Sequence, residues 1–364
     1  MLDANHRDAW DAFCFQSSEA WFWHTAHWLD YTLDYRPELT PTSYSFFVLA
    51  GEQIAAICPL ILETSRGPDG DIRQFSYGGD AVPAPAFADG LPDQLRSLIT
   101  RAVFRRIDEL ARANRVQRIS FRMSPPAPAF WGFTHPEPNP LVGEGFSDVT
   151  LLTRIIDLSQ PEHELLADVR KGHRADIKRA EKLMSASVLD SSNITHDRFE
   201  RYRLLHRKAA GRTTRPLKTF ELMYSWIQDG WAVLSAATLE GRDIGFALIS
   251  TYKDGAYYSS GCVDPEFNHL PAGHLLQWRA MQWLKAHNIR HYEIGIQLYS
   301  SQPHSIVSPK EWNISFFKRG FGGFTVPSWR AEKFYDEDYC RRLLQERADL
   351  YARTLSTQED TSGE

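Results

Sequence analysis

The sequence predicts an α/β protein built from two similar units, each containing a mixed sheet. The chain has 364 residues, which is more than one ordinary domain needs. Hydrophobic residues make up 43% and charged residues 24% of it, a balance typical of a chain that buries a sizeable core. The same order of elements, a strand hairpin, a helix and a strand, occurs in both halves. Such an internal repeat indicates a duplicated α/β unit.

The first unit is predicted to span residues 1–150. Its opening segment is rich in aromatic residues at helical spacing, and two later apolar runs joined at Gly51-Glu52 have the pattern of a hairpin. A Pro-rich stretch over residues 124–140 contains no clear element and is interpreted as a connector or a loop over a cleft. The predicted elements are helices over residues 10–35, a strand hairpin over 44–62, a strand and Gly/Pro-rich loop over 72–87, a helix over 93–115 and a strand over 116–123.

The second unit is predicted to span residues 151–330. Its central feature is a three-stranded meander with turns at Glu240-Gly241 and Asp254-Gly255. We expect a charged helix over residues 331–353, packed on the first unit, and a disordered tail over 354–364. The predicted elements are a strand over 151–159, one or two helices over 161–184, helices over 196–210 and 220–229, the meander over 231–263, a helix over 272–288 and a strand over 290–296.

Composition excludes several classes of protein. The four cysteines, Cys14, Cys58, Cys262 and Cys340, form no CxxC pair, which argues against a zinc site and a disulfide framework, and the 13 histidines form no metal-ligand pattern. The net charge of −5 argues against DNA or RNA as the main partner. No apolar run approaches the roughly 18 residues that span a bilayer, so a cytoplasmic location is expected.

Three segments of the second half together have the pattern of a known enzyme family. They are WNISFFKRGFGG (residues 312–323), DLSQPEHELLADVRKGHRADIKRAEK (157–182), and PAGHLLQWRAMQWLKAHN (271–288) followed by YEIG. In this order they resemble a motif near the C-terminus, the basic helix, and the late helix and strand of the Fem family of non-ribosomal aminoacyltransferases, which build peptidoglycan cross-bridges. The resemblance covers the second half well and the first half by element order.

The resemblance implies two tandem acetyltransferase-like (GNAT-like) domains with mixed sheets. In that fold the sheet splays open beside a helix, and the resulting cleft admits an activated acyl donor. No pair of long charged helices occurs between His196 and Trp231. The chain therefore resembles the short, armless members of the family, whose donors include both aminoacyl-tRNA and other activated acyl groups.

The FKRGFGG motif supplies the predicted catalytic residues. By resemblance, Phe317 holds the end of the donor and Lys318 stabilises the transition state; a tight hairpin with exposed cations is the structural alternative. Cations stabilise a developing oxyanion, and glycine lets the backbone approach a ligand. Arg319, Gly320 and Phe321 are predicted to bind the donor as well. The residues predicted to present backbone N–H groups to an anion at the start of the late helix are Gly273 and His274.

Basic and acidic residues outside this motif are candidates for binding the acceptor. The segment HRKAAGRTTRPLK (206–218) contains five Lys or Arg and no acid, and by resemblance an arginine here binds an acceptor phosphate. Arg212 and Arg215 are the candidates, against the alternative of a solvated basic face. Asp80, in the Gly-rich loop YGGDAVPAP, is a candidate for steering the acceptor amine.

These observations predict an acyltransferase that forms an amide on an amine of a phosphate-bearing cell-envelope precursor, either a peptide or an amino sugar. No covalent intermediate, tightly bound cofactor or metal is expected. The donor is aminoacyl-tRNA or acyl-CoA, with contact to a tRNA acceptor stem in the first case. Peripheral access to a lipid-linked acceptor is compatible with this prediction. The alternative is a degenerate acetyltransferase-like fold that serves as a binding or scaffold module, because no general base is evident in the sequence.

Overall fold

The computed structural model describes residues 2–67, 70–130 and 138–359. Its α-helices are α1 (Arg7–Gln16), α2 (Ala26–Tyr35), α3 (Asp93–Ala113), α4 (Glu162–Asp168), α5 (Lys171–Leu183), α6 (His196–Ala210), α7 (Leu217–Gln228), α8 (Ala272–Ala286), α9 (Pro309–Arg319) and α10 (Glu337–Glu359). Its strands are β1 (Thr42–Ser43), β2 (Phe46–Ala50), β3 (Gln53–Cys58), β4 (Ile61–Gly67), β5 (Gly70–Phe75), β6 (Val82–Pro83), β7 (Ala86–Phe87), β8 (Arg118–Arg122), β9 (Ser147–Asp148), β10 (Leu151–Asp157), β11 (Ser185–Leu189), β12 (Ala232–Leu239), β13 (Arg242–Tyr252), β14 (Gly255–Val263), β15 (His291–Gln297), β16 (Phe324–Ser328) and β17 (Arg330–Phe334).

The strands form two large mixed sheets and one small sheet. The first sheet has the order β1-β4-β5-β8-β17-β9, with β6 also paired to β8. The second sheet has the order β11-β12-β13-β14-β15-β10-β16. The hairpin β2-β3 pairs with β7 in the small sheet. Each large sheet contains one meander, a helix that crosses over, and a parallel strand pair, so the predicted duplicated α/β architecture with mixed sheets is confirmed.

The second sheet opens into a cleft beside α8. Its parallel strands β14 and β15 are paired only from Gly255 to Tyr257, opposite His291 to Glu293. Beyond these residues β14 continues to Val263 while β15 pairs with β10 on its other side. Backbone groups that face a gap of this kind have no strand partner there, which leaves them available to a ligand.

The corresponding gap of the first sheet is filled by protein. Strands β5 and β8 are parallel and paired at Gln74 and Phe75. Farther along β8, the short strand β6 takes the neighbouring position and pairs with Phe121 and Arg122. The first sheet therefore offers no equivalent open cleft at this position among the described residues.

The C-terminal part of the chain departs from the prediction. A helix was expected over residues 331–353, but Arg330–Phe334 is strand β17, and the helix begins at Glu337. Strand β17 lies between β8 and β9, so it is part of the first sheet. Residues 354–359, expected in the disordered tail, continue α10, and the rest of that tail lies outside the described residues.

Three hydrophobic clusters hold the elements together. One lies between α3 and the first sheet, and another lies between α5, α8 and the second sheet. The third joins the N-terminal helices to the other face of the second sheet, with Trp21, Phe22 and Trp226 fully or almost fully buried. The aromatic residues at the start of the chain thus serve mainly as a core that fastens the first half onto the second. Among the described helices, none has both the length and the apolar character that a membrane span requires.

Candidate active site

A cavity of about 320 Å³ lies beside the part of β14 that is not paired with β15. Tyr258 and Cys262 of β14 form one wall, Gly273 and His274 at the start of α8 form another, and Phe317 of α9 closes one side. The residues around it are mostly apolar, and the N-terminal N–H groups of a helix attract anionic or polar ligand atoms. This cavity is a suitable site for the activated end of an acyl donor.

Helix α9 carries the sequence-predicted motif to the edge of this cleft. Ser308 caps its N-terminus through a reciprocal capping box with Glu311, and Pro309 occupies the first helical position. The helix ends at Gly320, and the following Gly322 and Gly323 have φ of +85° and +77°, a conformation that glycine adopts at little cost. The motif is therefore a helix followed by a glycine-rich turn. The hairpin alternative with exposed cations is wrong.

Phe317, Gly273 and His274, each of which is predicted to meet the donor, lie close together. A Cβ atom placed on Gly273 would lie 3.5 Å from Phe317 Cζ, and the rings of His274 and Phe317 are 5.0 Å apart. His173 fixes Phe317 from behind. Arg170 donates to His173 Nδ1 (3.1 Å), so the ring proton is on Nε2, which donates to the Phe317 carbonyl oxygen (2.9 Å). Burial lowers the pKa of His274 to about 4, so its ring is neutral at pH 7.

Lys318 lies beneath the mouth of the cleft, between α9 and β15. A Cβ atom on Gly295 would stand only 2.5 Å from Lys318 Nζ, so the absence of a side chain at Gly295 makes room for the ammonium group. The Nζ atom is 5.9 Å from the centre of the Tyr258 ring. Burial lowers the pKa of Lys318, and the negative charge of Glu293 opposes this effect. The lysine predicted to act on the acyl carbonyl is thus held beside the donor cavity.

Glu293 is a buried carboxylic acid next to Lys318. It lies on β15 directly opposite Tyr257 of β14, at the last paired position before the cleft opens. The Thr153 hydroxyl donates to Glu293 Oε1 (2.6 Å), while Oε2 has no hydrogen-bond partner among the described residues. Burial raises the pKa of Glu293 to about 7, against the hydrogen bond from Thr153 and the positive charge of nearby cations. A carboxyl group with this pKa exchanges a proton near neutral pH.

Two of those cations belong to the first sheet. Arg122 on β8 and Arg330 on β17 both lower the pKa of Glu293. Arg122 stacks on Trp23, and Trp23 contacts Tyr257, the strand partner of Glu293. Asp80 accepts a hydrogen bond from Arg330 Nη1 at 2.7 Å. Loss of solvent around the carboxylate acts to raise the pKa of Asp80, but the positive charges of Arg330 and Arg122 hold this pKa below its ordinary value. We refer to Asp80, Arg122, Glu293, Lys318 and Arg330 as the intersheet site.

The remaining predicted donor residues do not line the cavity. Phe321 is completely buried in the core of the second unit, where it contacts His173 and Phe317. Gly320 is packed against His173, and its carbonyl oxygen accepts from the backbone of Arg170 at 2.8 Å. The Arg319 guanidinium stacks on Tyr299, 4.4 Å from the ring centre, on the outer side of α9. Direct contact of Arg319, Gly320 and Phe321 with a donor therefore stays a prediction.

Arg212 and Arg215 lie apart from the intersheet site, in the loop between α6 and α7. Arg212 is exposed. Arg215 is largely enclosed by aromatic residues: it donates to the Tyr31 hydroxyl at 2.9 Å, lies over the rings of Tyr35 and Phe220, and its Nε has no partner in the described structure. Among the described contacts, neither arginine touches Lys318 or Glu293. Of the predicted acceptor residues, only Asp80 belongs to the intersheet site.

Sequence reasoning did not find Glu293, Arg122, Arg330 or Tyr258. The signal for Glu293 was present, because an acid lies in the middle of the largely apolar strand HYEIGI, two positions before a glycine. Arg122 and Arg330 are more than 200 positions apart in the chain, and only the pairing of β8 with β17 brings them together. The assembled groups provide a proton acceptor, a cation beside an acyl cleft, and two arginines. Together they can support transfer of an acyl group to an amine.

Comparison with known proteins agrees with this chemistry. Residues 167–302 match the family described as acetyltransferase (GNAT) domain. A search of curated protein sequences finds no significant match. Among solved structures the chain is similar to FemX, with 14% identity, a TM-score of 0.66, and coverage of 94% of this chain and 99% of that one.

Two further structures share the fold. The similarity to L-PGS of Bacillus licheniformis has 13% identity, a TM-score of 0.56, and coverage of 93% of this chain and 96% of that one. The similarity to the C-terminal domain of an Agrobacterium fabrum protein named as a lysylphosphatidylglycerol synthetase has 12% identity, a TM-score of 0.56, and coverage of 95% and 96%. The predicted fold and the predicted acyltransferase class are confirmed; the armless subtype stays a prediction. Residues 167–302 are thus similar to the acetyltransferase (GNAT) domain family, and the chain shares the fold of FemX.

Proposed function

We propose that this chain is an N-acyltransferase that forms an amide between an activated acyl donor and an amine of a cell-envelope precursor. The donor occupies the cleft between β14 and β15, and the acceptor lies between the two large sheets. The observation that carries this proposal is Glu293, a buried carboxyl group with a pKa of about 7 beside the Lys318 ammonium group. Glu293 provides the general base that was not evident from the sequence.

Amide formation requires the acceptor amine to lose a proton. The amine nitrogen attacks the acyl carbon, the C–N bond forms, and the bond from that carbon to the donor sulfur or oxygen breaks. The proton released from nitrogen passes to the Glu293 carboxylate, whose Oε2 has no other partner in the described structure. A base with a pKa near the working pH combines a useful deprotonated fraction with a sufficient affinity for the proton.

Lys318 and Tyr258 act on the donor. The Lys318 ammonium group stabilises the negative charge that develops on the acyl oxygen, and its partly desolvated position strengthens this effect. Tyr258 lines the donor cavity, and burial raises its pKa to about 12, so its hydroxyl stays protonated and can give a proton to the leaving group. The sulfur of a thioester or the oxygen of an ester accepts that proton.

A binding module without catalysis explains the intersheet site less well. An unpaired buried acceptor atom costs about 1–3 kcal/mol, and a scaffold gains nothing from such a group. A buried carboxyl group whose pKa is raised to about 7, next to a buried lysine, is typical of a catalytic site. The donor is an acyl-CoA or an aminoacyl-tRNA. The acceptor is a peptide or an amino sugar.

The Glu293→Gln substitution tests this proposal. The assay uses whichever donor stabilises the protein in a thermal-shift screen of coenzyme A thioesters and aminoacyl-RNA mimics. For the wild type, kcat/KM should rise with pH and level off above about pH 7, because only deprotonated Glu293 accepts the proton. Glu293→Gln should lower kcat/KM by about 10²–10⁴-fold and remove this acid limb. Glu221→Gln, at an exposed position of the same unit, is the control. A Glu293→Gln enzyme with the rate and pH profile of the wild type would exclude Glu293 as the base.

A further inference from the structure

The side of α9 that faces away from the donor cavity combines exposed aromatic rings with arginines. Trp312 and Phe316 lie one turn apart on α9, and Tyr299 lies in the loop that follows β15. Trp312, Phe316 and Tyr299 are 42%, 43% and 42% exposed. Arg170, at the N-terminus of α5, lies over the ring of Phe316 at 4.1 Å from its centre, as Arg319 lies over Tyr299.

Contacts between these side chains form one continuous surface. The rings of Trp312 and Phe316 are 5.4 Å apart and almost parallel, at 8° to each other. The hydroxyl groups of Tyr299 and Thr325 are 3.0 Å apart, and Thr325 accepts a hydrogen bond from Arg154 Nη1 at 3.2 Å. We refer to the resulting set as the outer α9 surface; its members are Arg154, Arg170, Tyr299, Trp312, Phe316 and Arg319.

The positive charge of this surface is not neutralised locally. None of its three arginines has an acidic partner within 4.0 Å among the described residues; Arg154 donates to a backbone oxygen and Arg170 to a histidine ring. Two nearby acids, Asp168 and Glu311, both accept from backbone N–H groups, at 2.6 and 2.8 Å. The chain as a whole has a net charge of −5. A local excess of positive charge on such a chain is complementary to an anionic partner.

The arrangement of the rings distinguishes between two kinds of anionic partner. Single-stranded nucleic acids stack their bases on free aromatic faces. Here Trp312 and Phe316 stack on each other, and guanidinium groups lie over Phe316 and Tyr299, so little ring face is left for a base. Trp and Tyr rings next to Arg side chains are typical of protein surfaces that lie among lipid headgroups, where arginines meet the phosphates. The surface therefore fits an anionic bilayer better than RNA.

The outer α9 surface also adjoins the side of the molecule proposed for the acceptor. Tyr299 lines a cavity of about 100 Å³ together with Leu151 and Ser305. The same two residues, Leu151 and Ser305, line a second cavity of about 240 Å³, whose wall includes Asp80 and Arg330. A partner bound to the outer α9 surface would therefore lie near these two residues of the intersheet site.

We propose that the outer α9 surface binds the headgroup region of an anionic phospholipid bilayer. Trp312 and Phe316 enter the boundary between headgroups and acyl chains, and Arg170 and Arg319 bind lipid phosphates. This attachment goes beyond acyl transfer, and it can be measured without donor or acceptor.

Co-sedimentation with vesicles tests the proposal. The vesicles consist of phosphatidylcholine alone or of an equal mixture with phosphatidylserine. The wild type should bind the mixed vesicles about tenfold or more tightly than the neutral ones, and added salt should weaken this binding. Arg319→Gln and Trp312→Ala should each weaken it about fivefold or more. The matched controls, Arg105→Gln at an exposed position of α3 and Phe15→Ala at a 66% exposed position of α1, should bind like the wild type.

Three further measurements separate the possible outcomes. Arg319→Lys retains the charge and should keep most of the binding, which distinguishes lost charge from lost stability in Arg319→Gln. Glu293→Gln should bind vesicles like the wild type, so failure of the proposed catalysis and failure of membrane binding are separate results. Equal binding to both kinds of vesicle, or unchanged binding in Arg319→Gln and Trp312→Ala, would overturn the proposal. Binding of a short single-stranded RNA that both variants lose, without binding to vesicles, would overturn it in favour of a nucleic-acid interface.

Discussion

Lys318 and Glu293 are buried ionisable groups on neighbouring elements, and each acts on the pKa of the other. Burial lowers the pKa of Lys318 and raises that of Glu293, while their mutual attraction opposes both shifts. Near neutral pH the lysine remains the cation and the glutamate is divided between its two forms. This division of roles is the one that acyl transfer to an amine requires.

The Lys318→Ala substitution should lower kcat by about 10²–10³-fold, the usual cost of removing an oxyanion-stabilising donor. The residual activity should also show its pH midpoint at a higher value, because the positive charge that lowers the pKa of Glu293 is gone. The pH profile and the melting temperature of the variant provide the check. Lys310→Ala, at an exposed position of the same helix, is the control. Wild-type turnover in Lys318→Ala would remove the lysine from the mechanism.

The sequence made Lys318 and Phe317 candidates for the site but did not point to Glu293. The first two lie in a contiguous motif that resembles a known family. The properties of Glu293 come from its surroundings: Thr153 of β10 donates to one oxygen, and the residue is only 1% exposed. Burial by residues far away in the chain leaves no local pattern, so its raised pKa could not be read from the strand HYEIGI.

At the level of elements, the glycines after α9 have a packing role. A Cβ atom on Gly320 would lie 2.1 Å from His173 Nε2, and one on Gly323 would lie 2.2 Å from the backbone oxygen of Ile155. Gly322 is similarly close to Asp168. These glycines let the end of α9 approach α4, α5 and β10, and so they fix where Lys318 leaves the helix. The sequence analysis interpreted these glycines as allowing the backbone to approach a ligand. In the structure they allow the backbone to approach other parts of the protein.

The Gly323→Ala substitution should destabilise the protein by at least about 2 kcal/mol, because a rigid backbone atom blocks the new methyl group and φ is +77°. Gly172→Ala is the matched control: it lies in α5, its Cβ would meet nothing within 4 Å, and it should stabilise the protein by up to about 1 kcal/mol. Chemical denaturation measures both. Equal stability of the two variants would contradict the packing role of Gly323.

Helices and strands were predicted correctly where the local sequence pattern is strong. Helices α3 and α6 have clear apolar periodicity and occur where the sequence placed them. Strands β11, β16 and β17 were missed. The segment RAEKF of β17 is charged enough to suit a helix, and only its neighbours β8 and β9 make it a strand.

At the level of the whole molecule, Glu332 joins three distant parts of the chain. It lies on β17, its side chain is 4% exposed, and it binds Arg118 of β8 and Arg347 of α10. Removing one partner from a buried ion cluster leaves uncompensated charge in a poorly solvated position. The cluster therefore ties the C-terminal helix to the first sheet.

The Glu332→Gln substitution should lower the free energy of unfolding by about 3 kcal/mol, because two largely buried guanidinium groups lose their counter-charge. The denaturation midpoint should fall while its slope stays that of the wild type. Glu346→Gln, at an exposed position of α10, should leave the midpoint unchanged within about 0.5 kcal/mol. An unchanged midpoint in Glu332→Gln would show that the cluster contributes nothing to stability.

The position of β17 has a mechanical consequence. The chain passes to the second sheet between Asp148 and Leu151 and returns between Ser328 and Arg330, and these two crossings lie side by side because Leu151 pairs with Ser328 and Asp148 with Ala331. Both connections are short: two residues separate β9 from β10, and Trp329 alone separates β16 from β17. Two short connections at neighbouring points fix the distance between the adjoining ends of the two sheets.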